Sequence, residues 1–230
     1  MAAVFICDLR KSRTIPRWTE VLIKLQHVLA QANTTYRSVL LVPFDLTVGD
    51  EFQGVLRVPQ NACEVLRFFK TTLPVPFYCG IGLGPVELHP SFTPRGMRGE
   101  GFYRAREALE KAKRERRQSR LASGVFLYDR LANALLGMME ALEQAWTPRQ
   151  REVVHLLRRH PDWTYEVLGD RLGISKQAVA KRLRSAHFKR LVEGEEALTL
   201  LLSVNPEELT FGSQPDKVDK GGRSLESSKR

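Results

Sequence analysis

The stretch Trp163 to His187 constrains this chain more than any other, because it carries start and stop signals for two short helices separated by one tight turn. Thr164 stands where an N-cap belongs, and Val167, Leu168 and Leu172 recur on one helical face. Gly173 supplies a residue free to take the left-handed conformation that ends a helix. Ser175 then caps a second helix in which Val179 and Leu183, four apart, point inward. Lys176, Gln177, Ala180, Lys181 and Arg184 share the opposite, solvated face. This pattern reads as a helix-turn-helix, whose second helix suits the major groove of double-stranded DNA. Gln pairs bidentately with adenine and Lys or Arg with guanine, so Gln177, Lys176 and Lys181 are the base-reading candidates. Arg182, Lys189, Arg190 and the hydroxyl and amide of Ser175 are placed for phosphates, which orient a protein without reading sequence. A small helical bundle with a solvated basic face is the competing reading.

A chain of 230 residues with 43% hydrophobic content can hold one ordinary domain and a smaller one. The formal charge of +10 favours polyanionic partners in general, so its distribution matters more than its size. The excess lies in residues 95–120 and in residues 146–204. No apolar run approaches the length of a membrane helix, and the N-terminus lacks the basic and apolar regions of a secretion signal, so a cytoplasmic protein is expected. Cys7, Cys63 and Cys79 show no Cys-x-x-Cys spacing and read as buried free thiols. The histidines form no ligand-spaced pair.

Ahead of the helical segment the periodicity alternates. Ala2 to Cys7 is a strand, Pro16 to Gln31 a helix, and Val39 to Thr47 with Phe52 to Val58 a hairpin whose tip is Gly49 and Asp50. Pro59 to Thr72 follows as a helix, Val75 to Gly84 as a strand, Gly101 to Arg120 as a long basic helix, and Val125 to Tyr128 as a last short strand. The order βαββαβ with an additional αβ predicts an α+β, ferredoxin-like antiparallel sheet with helices on one face, followed by a small all-α unit. Arg130 to Gln144 reads as a connecting helix with a wide apolar face, either core or dimer surface. Thr147, Pro148 and Gln150 form a capping box that restarts the chain. The expected domains are therefore 1–128, a connecting helix 129–145, 146–204, and a disordered tail 205–230. A lone helix-turn-helix binds weakly, so a homodimer is expected.

In such a sheet the first strand and the hairpin are neighbours, so Asp8 and Asp50 approach each other and would repel without a cation between them. Hard oxygen ligands favour Mg or Mn, with a nucleotide triphosphate completing the coordination. Arg10, Lys11 and Arg13 follow directly and could meet its phosphates, as could a solvated loop. Gly80, Gly82 and Gly84 precede no helix and are interrupted by Pro85, so they serve close packing of backbone or ligand on the sheet. The basic segment Arg104 to Arg120 is either a solvated amphipathic helix or a second phosphate-contacting surface.

Ile-Cys-Asp-Leu, the hairpin Val-Gly-Asp-Glu-Phe, the strand Gly-Ile-Gly-Leu-Gly and Gly-Phe-Tyr-Arg-Ala-Arg-Glu-Ala-Leu resemble, in order, the motifs of class III nucleotide cyclases and diguanylate cyclases. The closer resemblance is to the SatD family, through Asp8, Ser12-Arg13, Gly49 to Gln53, Gly80 to Gly84 and Tyr103 to Leu109. The cyclase resemblance implies metal-ligand roles for Asp8 and Asp50. It does not extend to the transition-state pair, because Phe102 to Glu107 contains no Asn. The helical unit in turn resembles sigma-factor region 4, where Gly-Ile-Ser is followed by Val and Arg-Leu, although Gly169 stands where those proteins usually place Ala. Together these features predict a DNA-binding transcriptional regulator whose first domain either senses a nucleotide and metal or retains only the fold. The alternative is a metal-dependent, cyclase-like phosphoryl-transfer enzyme localised by its helix-turn-helix.

Overall fold

The computed structural model describes residues 1–14, 16–47, 49–87 and 97–209, apart from the Arg13 side chain. The expected roles of Arg13 and of tail residues 210–230 therefore lie outside the described residues. Among the described residues the chain forms one five-stranded sheet and eight α-helices, a mixed α+β architecture. The strands are β1 (Ala2–Leu9), β2 (Leu40–Leu46), β3 (Glu51–Leu56), β4 (Phe77–Gly84) and β5 (Ser119–Ala122). The helices are α1 (Trp18–Thr35), α2 (Ala62–Thr72), α3 (Glu100–Glu115), α4 (Phe126–Gln144), α5 (Pro148–Arg159), α6 (Tyr165–Leu172), α7 (Lys176–Ser185) and α8 (Phe188–Ser203). None of them is long and apolar enough to cross a membrane.

The sheet runs β2-β3-β1-β4-β5, with β1 antiparallel to both neighbours and β4 parallel to β5. Because β1 lies in the middle, both of its faces are buried and its apolar run does not alternate. Ala3, Phe5, Cys7 and Leu9 join the layer under α1 and α2, whereas Ala2, Val4 and Ile6 meet Phe102, Ala105 and Leu109 of α3. Helices thus cover both faces, which corrects the expectation of one helical face: the additional αβ unit wraps α3 over the second side.

Three further boundaries differ from the sequence reading. The edge strand is Ser119–Ala122, not Val125 to Tyr128, and the latter residues open α4. Gly124 at φ 83° turns the chain, Ser123 donates its amide to Asp129 at 2.7 Å, and Tyr128, Ala132 and Leu136 then repeat at fourfold spacing on the buried face. Tertiary burial overrides the β-propensity of Val125 to Tyr128. The basic helix stops at Glu115 because Arg116 takes φ 56° and Arg117 donates its amide to Ala112 at 2.9 Å, a Schellman closure without glycine. At the other end of the chain, Pro206–Leu209 form a 3-10 turn with Pro206 buried, so order extends past the expected start of the tail at 205.

Both outer strands are sealed by an asparagine amide. Asn33 of α1 accepts from the Phe44 amide at 2.7 Å and donates to its carbonyl at 2.9 Å. Asn133 of α4 does the same for Leu121, at 2.9 and 2.7 Å. Each side chain stands in for one residue of a further strand and blunts an edge that would otherwise recruit another chain. The three cysteines are buried and free, as expected.

The apolar core continues from the sheet through Trp146, Val153, Leu168, Val179 and Leu198 into the helical half. His155 sits at this junction beside Trp146, with ring centroids 6.4 Å apart. Burial, reinforced by Arg151, Arg158 and Arg159, pushes its imidazole down to about 4 from an ordinary 6.5. The folded protein therefore holds His155 neutral while the unfolded chain takes up a proton near pH 6.5, so stability falls as pH drops from 6.5 towards 4. With allowance for its partial exposure, the effect is on the order of 1–2 kcal/mol. Melting temperatures between pH 7 and 4 should fall more steeply for the native protein than for His155→Gln; parallel curves would remove His155 as the cause.

Candidate nucleic-acid interface

Local chemistry builds the α5–α6–α7 unit much as the sequence predicts. Thr147 accepts from the Gln150 amide at 3.3 Å while the Gln150 side chain accepts from the Thr147 amide at 2.8 Å, with Pro148 in the first turn. Thr164 caps α6 by accepting from the Val167 amide at 3.4 Å, and Ser175 caps α7 by accepting from Ala178 at 3.2 Å. Between them Gly173 takes φ 64°, Ile174 donates to the Gly169 carbonyl at 2.9 Å and Gly173 to Asp170 at 3.3 Å. These two bonds satisfy carbonyls that the end of α6 would leave open. Gly169 lies at the crossing itself: a Cβ there would stand 2.6 Å from the Ile174 carbonyl oxygen, so this turn is tighter than one built around Ala.

Leu168, Val179 and Leu183 are buried, and the Trp146 indole donates to the Ala186 carbonyl at 2.8 Å, fixing the end of α7 to the start of α5. Val167, expected on the inner face, is instead 44% exposed. The inner line of α6 runs through buried Leu168 and Gly169 and half-buried Leu172, which leaves Val167 off that line.

The outward edge of α7 carries Lys176, Gln177, Lys181 and Arg184, all exposed, with Lys189 and Arg190 exposed at the start of α8. Arg182 is half-buried. The Ser175 oxygen is used as the cap acceptor, which leaves its hydroxyl proton free to donate. Lys176 is the one base-reading candidate already engaged: it pairs with Glu166 of α6 and holds that carboxyl below the usual range. Gln177 and Lys181 therefore present the least encumbered donors and acceptors on this edge.

A second polar cluster lies at the carboxyl end of β1. Asp8 faces Glu51 in register, and both side chains lie on the α3 side of the sheet. Lys113 donates to Asp8 at 3.0 Å, yet burial still pushes the Asp8 carboxyl up, with smaller contributions from Asp50 and Glu51. Glu51 meets Arg106 through both oxygens and accepts from Gln53 at 2.7 Å; despite its burial these donors hold its carboxyl below the usual range. Arg10 lies over the Tyr78 ring at 4.1 Å, with Nε and one terminal nitrogen buried and without a hydrogen-bond partner among the described residues. Lys11 is exposed in the following turn, its carbonyl accepting from Thr14.

The structure thus brings Asp8 near Asp50, as expected, and adds Glu51, Arg106 and Lys113. The donor set does not fit a divalent ion as it stands: Lys113 occupies Asp8, Arg106 occupies Glu51, and among the described residues no group of three or more His, Cys, Asp or Glu could hold a metal. Glu51 was not singled out from the sequence, which paired Asp8 with the neighbouring Asp50; the in-register pairing of β1 with β3 is what sets Glu51 opposite Asp8. Arg106 and Lys113 were not legible either, because a seven-residue spacing of cations also describes a solvated helix face.

A five-stranded α+β sheet unit continuous with an all-helical unit, the latter presenting a cationic and amide-bearing helix edge, defines the class of protein. The sequence model of the SatD family matches residues 2–202, so nearly all of both units fall inside it, and the chain belongs to the SatD family. No curated protein matches the chain.

Proposed function

We propose that this protein binds double-stranded DNA through α6 and α7, used as a helix-turn-helix, and acts as a cytoplasmic transcriptional regulator. The observation that carries the reading is the outward edge of α7: Gln177, Lys181 and Arg184 stand exposed opposite buried Val179 and Leu183. A helix so oriented has its polar edge free to enter a major groove, with Ser175, Arg182 and Lys189 flanking it for phosphates. A homodimer would supply the second half-site contact, and α4 offers a surface for it, since Leu131 and Met138, two turns apart, are 45% and 59% exposed. The order β2-β3-β1-β4 with α1 and α2 under one face supports a ferredoxin-like, cyclase-related first domain over residues 1–128.

Selection from random duplexes identifies a preferred site, after which two variants separate the roles. Gln177→Ala is expected to lose about 1–3 kcal/mol on that site and little on others. Lys189→Ala weakens every duplex alike and lowers the salt slope by about one. Equal losses for both variants on all DNA tested would count against the proposal. Product formation from ATP or GTP with manganese, abolished by Asp50→Asn, would instead favour the cyclase-like alternative, in which a metal displaces Lys113 from Asp8.

A further inference from the structure

Beside β5, α3 and the start of α4 enclose an open cavity of about 980 Å³. Its walls carry five cations, Arg104, Lys111, Arg117, Arg120 and Arg130, against two acids, Glu107 and Asp129. Asp129 is already engaged by the amide and hydroxyl of Ser123, both at 2.7 Å, so it does little to neutralise the cavity. Lys111 and Arg120 pair with Glu107 and Glu115, while Arg130 has no carboxylate partner among the described residues and lies by the Phe126 ring, 5.9 Å from its centroid.

Two of the arginines are built into the wall. Arg104 donates to the Leu83 carbonyl at 2.7 Å and pairs with Glu100 at 2.6 Å, and its guanidinium lies where a Cβ on Gly124 would approach to 3.0 Å. Arg117 donates to the Asn133 carbonyl at 2.8 Å beside Gly137, where a Cβ would come within 2.5 Å. Held in this way, they need not be ordered when a ligand arrives, which removes part of the entropic cost of binding. Phe126, 45% exposed, supplies a flat aromatic face in the same wall. The segment after Leu209, which itself lines the cavity, carries five Lys or Arg against three Asp or Glu, so its charge does not suit it as an occupant.

We infer that this cavity binds a phosphorylated ligand with an aromatic ring, a nucleoside phosphate, through Arg130, Lys111 and Arg104 at the phosphates and Phe126 at the ring. The volume lies at the upper end of small-molecule clefts, and the inward cations match a compact polyanion better than a rigid duplex. The site is distinct from the Asp8, Arg10 and Lys11 cluster and needs neither a metal nor the DNA-binding reading.

Calorimetric titration of the full-length protein with ATP, GTP and tripolyphosphate tests it. At least one nucleotide should bind, the double variant Lys111→Glu, Arg130→Glu should weaken it tenfold or more at unchanged melting temperature, and Phe126→Ala should weaken the nucleotide but not tripolyphosphate. Arg10→Ala should leave affinity intact. No nucleotide binding at millimolar concentration, or full affinity in the double variant, would overturn the inference. Loss of binding in Arg10→Ala would move the site to the β1 end, and a double variant that loses DNA but not nucleotide affinity would make the cavity a DNA surface.

Discussion

Gly80→Ala is expected to destabilise the protein by about 3 kcal/mol, lowering its melting temperature by roughly 6–12 °C. A Cβ at this position would lie 2.0 Å from the Ala105 carbonyl oxygen and 2.4 Å from the Leu109 nitrogen, both backbone atoms of α3. A neighbouring side chain could rotate away, but a helix backbone can relieve such an overlap only by lifting off the sheet. Lifting α3 opens the layer in which Phe102, Ala105 and Leu109 cover Val4 and Ile6. Gly82 is in the same situation, 2.0 Å from the Gly101 oxygen and 2.3 Å from the Ala105 nitrogen, so Gly82→Ala should behave alike. Gly49→Ala is the control: nothing lies within 4 Å of its Cβ, and only φ 65° opposes the change, at about 1 kcal/mol. Melting followed by circular dichroism decides the matter. A Gly80→Ala protein that melts within 2 °C of the native chain would mean α3 rests on the sheet less tightly than the geometry requires.

The alternating glycines of β4 could be read as a packing device because a strand repeats every second residue, and a missing side chain at each repeat marks one smooth face. The caps of α5, α6 and α7 were legible for a related reason: Thr147, Thr164, Gly173 and Ser175 act on partners at most four positions away, so spacing alone exposes them. What escaped was chemistry that closes over distance. Asn133 imitates a strand for Leu121 twelve residues earlier, and Lys113 reaches Asp8 across 105 positions. Arg116 ends α3 in a left-handed conformation that its residue type does not favour, imposed by the return into β5. In the candidate interface, direction along α7 was readable from Val179 and Leu183, whereas the Glu166–Lys176 pair depended on how α6 and α7 cross. The Asp8 cluster shows the same division: Asp8 at the end of β1 and Asp50 at the hairpin tip were visible, whereas Glu51 and the cations on α3 were not singled out.

Glu195→Ala carries the largest expected loss among side chains in the helical half. Glu195 of α8 is 7% exposed and accepts from Arg158 of α5 at 2.6 Å and from Arg67 of α2 at 3.1 Å. Alongside it Glu143 of α4 takes Lys70 of α2 at 2.7 Å and approaches Arg158 at 3.9 Å. Four helices thus meet through one chain of alternating charges, and α2 belongs to the sheet half while α5 and α8 belong to the helical half. Truncating Glu195 leaves the Arg158 guanidinium buried with only the distant Glu143, and an uncompensated buried charge costs about 3–5 kcal/mol. Replacing both partners by apolar groups of similar size, Arg158→Met with Glu195→Leu, removes the stranded charge and should restore much of the stability. Urea unfolding of Arg158→Met, Glu195→Leu and the double variant that combines them reads out the coupling directly. If Glu195→Ala unfolds within 1 kcal/mol of the native protein, or the double variant equals the sum of the singles, the joint between sheet and helices is held by its apolar contacts and these charges are bystanders.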